Sequence, residues 1–161
     1  MTHSTFTLAS RMIFAQRLDI EGPQTHPDLV LRPWLTDEMV VVAAATHPLA
    51  RLRRVDLQQL RGACWALREP GSGTREAVDR WLHEHLGPVE VGFEFGSTEA
   101  IKRLIAAGAA ISCMSRYAVS SALVDGTLVE LRTGLPAAHR RLAIVLHPDK
   151  SLGRGTEDFL R

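Results

Sequence analysis

The chain has 161 residues, of which 45% are hydrophobic and 23% charged, and this composition excludes disordered, collagen-like and coiled-coil proteins. Its 19 Lys and Arg against 18 Asp and Glu give a formal net charge of +1, without the basic excess of a domain that binds nucleic acid through its phosphates. DNA is therefore not an expected partner of this chain alone. No apolar run approaches the roughly 20 residues of a membrane-spanning helix, so a membrane is not an expected partner either.

The first predicted elements are two strands, at 29–35 and 38–45. The second strand is apolar on both faces, which indicates a buried central strand of a sheet. A proline then interrupts the pattern, and a short helix is predicted at 55–60.

Short apolar strands alternate with amphipathic helices along the rest of the chain. In segment 89–95 Val and Phe alternate with Glu and Gly, which predicts a strand with one apolar face. The other predicted elements are strands at 63–69, 110–114, 127–131 and 141–147, and helices at 74–86, 97–108 and 117–126. This order predicts an α/β fold with a mostly parallel sheet and helices on both faces.

The residues that catalysis or metal binding requires are sparse. Cys64 and Cys113 lie in apolar runs without a CxxC partner, which predicts buried free thiols and a reducing, cytoplasmic setting. The seven histidines show no HxxxH or HExxH spacing, so no metal and no cofactor is expected. No nucleophile elbow and no paired acid and base are visible, so the chain is not expected to be an enzyme.

Two predicted helix starts carry the hydroxyl groups best placed for a ligand. Ser72, Gly73 and Thr74 open the helix at 74–86, and Ser97 and Thr98 open the next one. A helix N-terminus offers free N–H groups and partial positive charge to an anion, and Arg75 could add a charge. Helix capping alone explains serine and threonine at such positions equally well. Because both starts follow strands, they could converge on one small anion or polar ligand.

A small basic run, Arg51, Arg53 and Arg54, follows the HPLA segment. A solvated surface turn is the favoured interpretation, and contact with an anion or a partner is the alternative.

Three segments resemble the effector-binding domain of LysR-type transcriptional regulators. They are DEMVVVAAATHPLA (37–50), ACWALREPGSGTREAVDRWL (63–82) and GSTEAIKRLIAAGAAISCMSRYAVSSALVDGTLVEL (96–131). The residues of these motifs are most similar to those of regulators of sulfur assimilation and carbon fixation. The resemblance runs from about residue 18 to residue 161.

The resemblance implies two α/β subdomains like those of a periplasmic binding protein, with a ligand in the cleft between them. It places residues 1–48 in a partial first subdomain, residues 49–136 in a second subdomain and residues 137–161 back in the first. The implied ligand-binding residues are Ser72, Gly73, Thr74, Ser97, Thr98 and Glu21.

The resemblance also implies that parts of the family's architecture are missing. The winged helix-turn-helix and the opening β-α units of the first subdomain have no counterpart, so the chain is expected to be N-terminally truncated. An incomplete first subdomain would leave strand 38–45 short of partners, which predicts self-association as a dimer or a larger oligomer. DNA would be contacted only through the missing helix-turn-helix domain.

The sequence therefore predicts a cytoplasmic, ligand-sensing regulatory domain that binds a small anionic metabolite. A different interpretation is a small α/β enzyme acting on an anionic substrate at the Ser72/Thr74 loop. A solute-binding protein of transport is disfavoured because no signal peptide is recognisable.

Overall fold

The computed structural model describes residues 13–15 and 30–146. The chain divides into two units, unit 1 with residues 1–36 and 141–161, and unit 2 with residues 37–140. In unit 1, strand β1 (Ile13–Ala15) is antiparallel to β7 (Ala138–Leu146). The subdomain boundaries expected at 48/49 and 136/137 stay a prediction.

Unit 2 holds nearly all the described elements. Strand β2 (Val30–Ala44) leads into it and β7 leads out of it. Between them lie a 3₁₀ helix (Pro48–Arg51), α1 (Leu57–Arg61), β3 (Cys64–Arg68), α2 (Gly73–His85), β4 (Glu90–Phe95), α3 (Thr98–Ala106), β5 (Ser112–Ser115), α4 (Arg116–Val124) and β6 (Leu128–Glu130).

The described strands form two sheets, one of five strands and one made of β3 and β4, and the expectation of a mostly parallel sheet is wrong. The strand order is β1-β7-β2-β5, with β6 also paired to β2, and β2 runs antiparallel to both β5 and β6. Strands β3 and β4 are parallel, and a parallel bridge joins Trp65 of β3 to Ile111 just before β5. Hydrophobic periodicity locates strands but carries no information about their direction, which the connections between them decide.

Two apolar clusters cover the two faces of the sheet in unit 2, as predicted. Side chains of β2 alternate between them, because successive residues of a strand point to opposite faces. One cluster packs the sheet against α1 and α2 around Trp65, which is fully buried. The other packs the sheet against α3 and α4 through Ile101, Ile105, Val119 and Ala122. The predicted buried central strand is thereby confirmed.

One strand, Val30–Ala44, replaces the two that were predicted at 29–35 and 38–45. Residues 39–44 are buried and are paired with both β5 and β6. The expectation that strand 38–45 lacks partners is therefore wrong, because β6 returns to cover it from far along the sequence.

Strand β4 contains an irregularity that its sequence pattern conceals. Trp65 lies opposite Val91 and the next residue, Ala66, lies opposite Phe93, so Gly92 is bulged out of register. A Cβ atom at Gly92 would fall on Cys64 Sγ, which explains why glycine stands there. Because the bulge reverses the alternation, Val89 packs against the cluster around Trp65 and Phe95 against the opposite one. The predicted single apolar face of this strand is wrong.

Both cysteines are free thiols, as expected, but the predicted burial is wrong for Cys64. Cys113 is buried, and burial raises the pKa of its thiol to about 12, whereas Cys64 is half-buried. Within the described ranges, no helix has the length and apolar character needed to cross a membrane.

Candidate functional site

The two helix starts lie at one edge of the sheet. Strands β3 and β4 are parallel neighbours, and each is followed by a turn and a helix, so α2 and α3 begin at the same strand ends. Two contacts join the turns directly. The Glu69 amide donates to the Phe95 carbonyl at 3.2 Å, and Arg68 Nη1 lies 3.5 Å from Thr98 Oγ1. The two starts are therefore neighbours, and their convergence on one ligand stays a prediction.

The first helix start leaves its serine hydroxyl outside the cap. Gly71 has a φ of +84°, a conformation that glycine adopts without strain, and it turns the chain from β3 into α2. Ser72 occupies the N-cap position, yet its side chain makes no capping hydrogen bond. Gly73 is the first helical residue. Capping therefore does not explain the presence of Ser72.

The second helix start divides the two hydroxyl groups between two roles. Ser97 Oγ accepts a hydrogen bond from the Ala100 amide at 3.4 Å, which is the capping role. Thr98 is the first residue of α3 and is half-buried beside Arg68. The remaining sequence-predicted ligand residue, Glu21, lies outside the described residues.

Arg68 is the cationic group of this edge, and sequence reasoning missed it. Its Nε and Nη2 each donate to a carboxylate oxygen of Glu69 at 2.8 Å. These hydrogen bonds raise the pKa of Arg68 and lower the pKa of Glu69 to about 2. Arg68 is the last residue of a buried strand, and the carboxyl end of such a strand is where ligands bind in α/β sheets; this position could have identified it.

Arg75, which the sequence suggested as an added charge for the ligand, is hydrogen bonded to other residues of unit 2. Its Nε contacts both oxygens of Asp79 at 2.8 and 2.9 Å. Its Nη1 donates to the Arg68 carbonyl at 2.7 Å and to Glu94 Oε1 at 2.5 Å. The guanidinium thus ties the start of α2 to β3 and β4.

Thr74 belongs to a buried polar network instead of the exposed turn. Its Oγ1 accepts a hydrogen bond from Arg140 Nη1 at 2.8 Å. Arg140 also donates to Asp37 Oδ2, through Nε at 2.7 Å and Nη2 at 2.6 Å. Ser115 Oγ donates to the other oxygen, Asp37 Oδ1, at 2.9 Å. Asp37 is only 1% exposed, and these contacts satisfy its charge.

The network joins the points where the chain enters and leaves unit 2. Asp37 on β2 is the first residue of that unit and Arg140 on β7 is the last. They are 103 residues apart in sequence, so no local pattern could have paired them. The contact connects the start of α2 to both strands.

Comparison with known proteins places this architecture in one family. The family described as LysR substrate binding domain matches residues 16–161. The uncharacterized HTH-type transcriptional regulator YeiE of Escherichia coli K12 is 46% identical over 141 residues, which cover 88% of this chain and 48% of that protein. A RuBisCO operon transcriptional regulator of Acidithiobacillus ferrooxidans is 33% identical over 123 residues, covering 76% of this chain and 40% of that protein. The chain thus spans about half the length of these curated relatives.

A solved structure shows the same fold. The regulatory domain of CcmR from Synechocystis PCC6803, in complex with 2-PG, is 31% identical with a TM-score of 0.73. The match covers 96% of this chain and 74% of that one. The chain therefore belongs to the LysR substrate binding domain family, and it is a ligand-sensing regulatory domain with an α/β fold of the periplasmic-binding-protein type.

Proposed function

We propose that this domain senses a small anionic metabolite at the edge where α2 and α3 begin. Ser72, Gly73 and Thr98 contact the ligand, and Arg68 supplies the positive charge. The contact between Arg68 and Thr98 carries the proposal, since it sets a guanidinium beside a hydroxyl where two helix N-termini meet. Of the other sequence-predicted residues, Thr74 binds Arg140 and Ser97 caps α3, so both act on the structure of the site instead of contacting the ligand. Glu21 stays a prediction.

An anionic ligand would compete with the Glu69 carboxylate for the Arg68 guanidinium. Glu69 is exposed at the surface and its low pKa keeps it ionised, so it neutralises Arg68 while the site is empty. An anionic ligand with better geometry displaces this carboxylate from part of the guanidinium fork. The CcmR regulatory domain, solved with 2-PG, supports a small ligand for this family member as well.

The buried network offers a route from the site to the rest of the regulator. Thr74 stands in the first turn of α2, and Arg140 connects it to Asp37 at the two points where strands enter and leave unit 2. Ligand binding at the start of α2 therefore biases the conformation of both strands, as a shift between pre-existing states. In the whole regulator this shift alters how a helix-turn-helix domain contacts DNA, while this chain makes no sequence-specific DNA contact of its own.

Self-association in the cytoplasm is part of the proposal, through a different surface from strand 38–45. Val91 and Phe93 of β4 are each 36% exposed, which is unusual for large apolar side chains of a strand. An exposed apolar strand is suited to pairing with a second copy of the chain. Sedimentation of the chain and of Phe93→Lys measures this, and a wild-type monomer at micromolar concentration contradicts it.

The enzyme alternative at the Ser72/Thr74 loop is not favoured. The relatives are transcriptional regulators. Thr74 Oγ1 accepts a hydrogen bond from Arg140, and among the described residues no side chain is hydrogen bonded to the Ser72 hydroxyl to activate it as a nucleophile.

Thermal unfolding with added anions tests the proposal. Sulfate, sulfite, phosphate and 2-PG are compared, and a ligand at 100 times its dissociation constant adds about 2.7 kcal/mol of stability. The stabilisation should disappear in Arg68→Gln and persist in Ser120→Ala, a control that removes an exposed α4 hydroxyl bonded only to its own helix. Equal responses of the two variants would contradict the assignment of the site.

A further inference from the structure

A second cationic region of unit 2 has a different character from the site above. A pocket of about 400 Å³ opens between the segment after the 3₁₀ helix and the end of β6. Arg51, Arg53 and Arg132 line it, and they come from segments about 80 residues apart in the chain. Two residues of the basic run that the sequence favoured as a solvated turn, Arg51 and Arg53, thus line a cavity, and Arg54 does not.

Among the described residues, no carboxylate is paired with the arginines of this pocket. Over residues 30–146, the side chains of Arg51, Arg53 and Arg132 make no ion pair and no hydrogen bond. The carboxylate of the pocket, Glu130, already binds Arg116 Nη2 at 2.8 Å. By contrast, Arg68, Arg75, Arg116 and Arg140 each bind a carboxylate.

The main chain around the pocket is fixed by hydrogen bonds. The Val55 amide donates to the Arg132 carbonyl at 2.9 Å, and the Leu131 amide donates to the Val41 carbonyl at 2.8 Å. The Leu52 amide donates to the Leu49 carbonyl at 3.2 Å and closes the turn after the 3₁₀ helix. These hydrogen bonds keep the main-chain segments that carry the arginines next to one another, and the arginine side chains themselves are exposed.

We propose that this pocket is a second anion site, which binds a small phosphate-bearing metabolite. Arginine is the side chain best matched to phosphate oxygens, and three of them suit a multiply charged anion. A cavity of about 400 Å³ lies in the range of small-molecule sites. The site shares no residue with the α2/α3 edge, so this proposal does not depend on the proposed effector site.

Calorimetric titration of the 161-residue chain with inorganic pyrophosphate, at constant ionic strength, tests the proposal. We expect saturable binding, and in a parallel NMR titration we expect amide shifts at residues 49–53 and 129–132. The double variant Arg53→Gln/Arg132→Gln should bind at least ten-fold more weakly. Arg103→Gln, which removes an exposed charge from α3, is the matched control and should bind unchanged.

Each other outcome overturns the proposal. Absence of saturable binding, or equal weakening in the Arg103→Gln control, would show a diffuse charge effect. Shifts at Arg68 and Thr98 without shifts at residues 49–53 and 129–132 would place the anion at the α2/α3 edge instead. A salt-sensitive shift of duplex DNA that the double variant abolishes would assign the arginines to nucleic acid.

Discussion

Two arginines in unit 2 make the same set of contacts in opposite surroundings. Arg140 lies between the carboxylate of Asp37 and the hydroxyl of Thr74, and Arg68 lies between the carboxylate of Glu69 and the hydroxyl of Thr98. The Arg140–Asp37 pair is buried, with side chains 11% and 1% exposed, whereas Glu69 is 41% exposed. Burial makes the first set a permanent connection, and exposure leaves the second able to exchange its carboxylate for a ligand.

Removing the buried carboxylate should have the largest effect. Asp37→Ala leaves Arg140 as a buried charge and Ser115 without its acceptor, so the free energy of unfolding should fall by about 3–5 kcal/mol. Urea denaturation measures this. The matched change Glu69→Ala should leave the unfolding midpoint unchanged. Equal losses of unfolding free energy in the two variants would contradict the distinction between a structural buried pair and an exchangeable exposed pair.

Removing the Thr98 hydroxyl should affect binding more than stability. Thr98→Ala should weaken binding of the effector anion by about 1.5–3 kcal/mol, because a hydroxyl that meets a charged ligand is lost. Ser97→Ala should instead cost about 1 kcal/mol of stability and leave the affinity unchanged, since Ser97 caps α3. Paired calorimetry and denaturation separate these outcomes.

Thr74→Ala gives a different result from Thr98→Ala. It removes the acceptor of Arg140 Nη1, so a loss of stability should accompany any loss of affinity. Unchanged stability in this variant would show that the buried network does not depend on Thr74.

The pH dependence of unfolding in the alkaline range tests the burial of Cys113, whose thiol lies near the charge of Arg140. Burial raises the pKa of this thiol to about 12, from 9.0 in an exposed thiol, and the charge of Arg140 partly opposes the rise. Because the folded pKa is the higher one, the contribution to stability is complete below pH 9 and is lost as the pH rises toward 12. At pH 10 the loss should be on the order of 1 kcal/mol, and Cys113→Val should abolish it. A pH profile that is unchanged in Cys113→Val would contradict the assignment.

The smallest expected effect concerns competition at the exposed pair. Glu69→Gln removes the carboxylate that occupies Arg68, so anion affinity should rise about 2- to 5-fold, the range that surface ion pairs support. Asp79→Asn removes one charge from α2 without touching Arg68 and serves as the control. Equal gains in both variants would show a general charge effect.

The sequence by itself determined the kinds of elements and where they lie. Apolar periodicity located β2 to β6 and the helices, the glycines and serines marked where α2 and α3 begin, and the motifs indicated the family. These features depend on neighbouring residues, whose propensities and spacing are visible in a short window.

Only the tertiary structure decided strand direction, the bulge at Gly92 and the roles of the polar residues. Capping explains Ser97 but not Ser72, and Thr74 serves Arg140, although all three looked alike in sequence. The contact between Asp37 and Arg140 joins residues 103 positions apart. Such pairings depend on how strands return to one another, and burial then decides whether a charge becomes structural or stays available to a ligand.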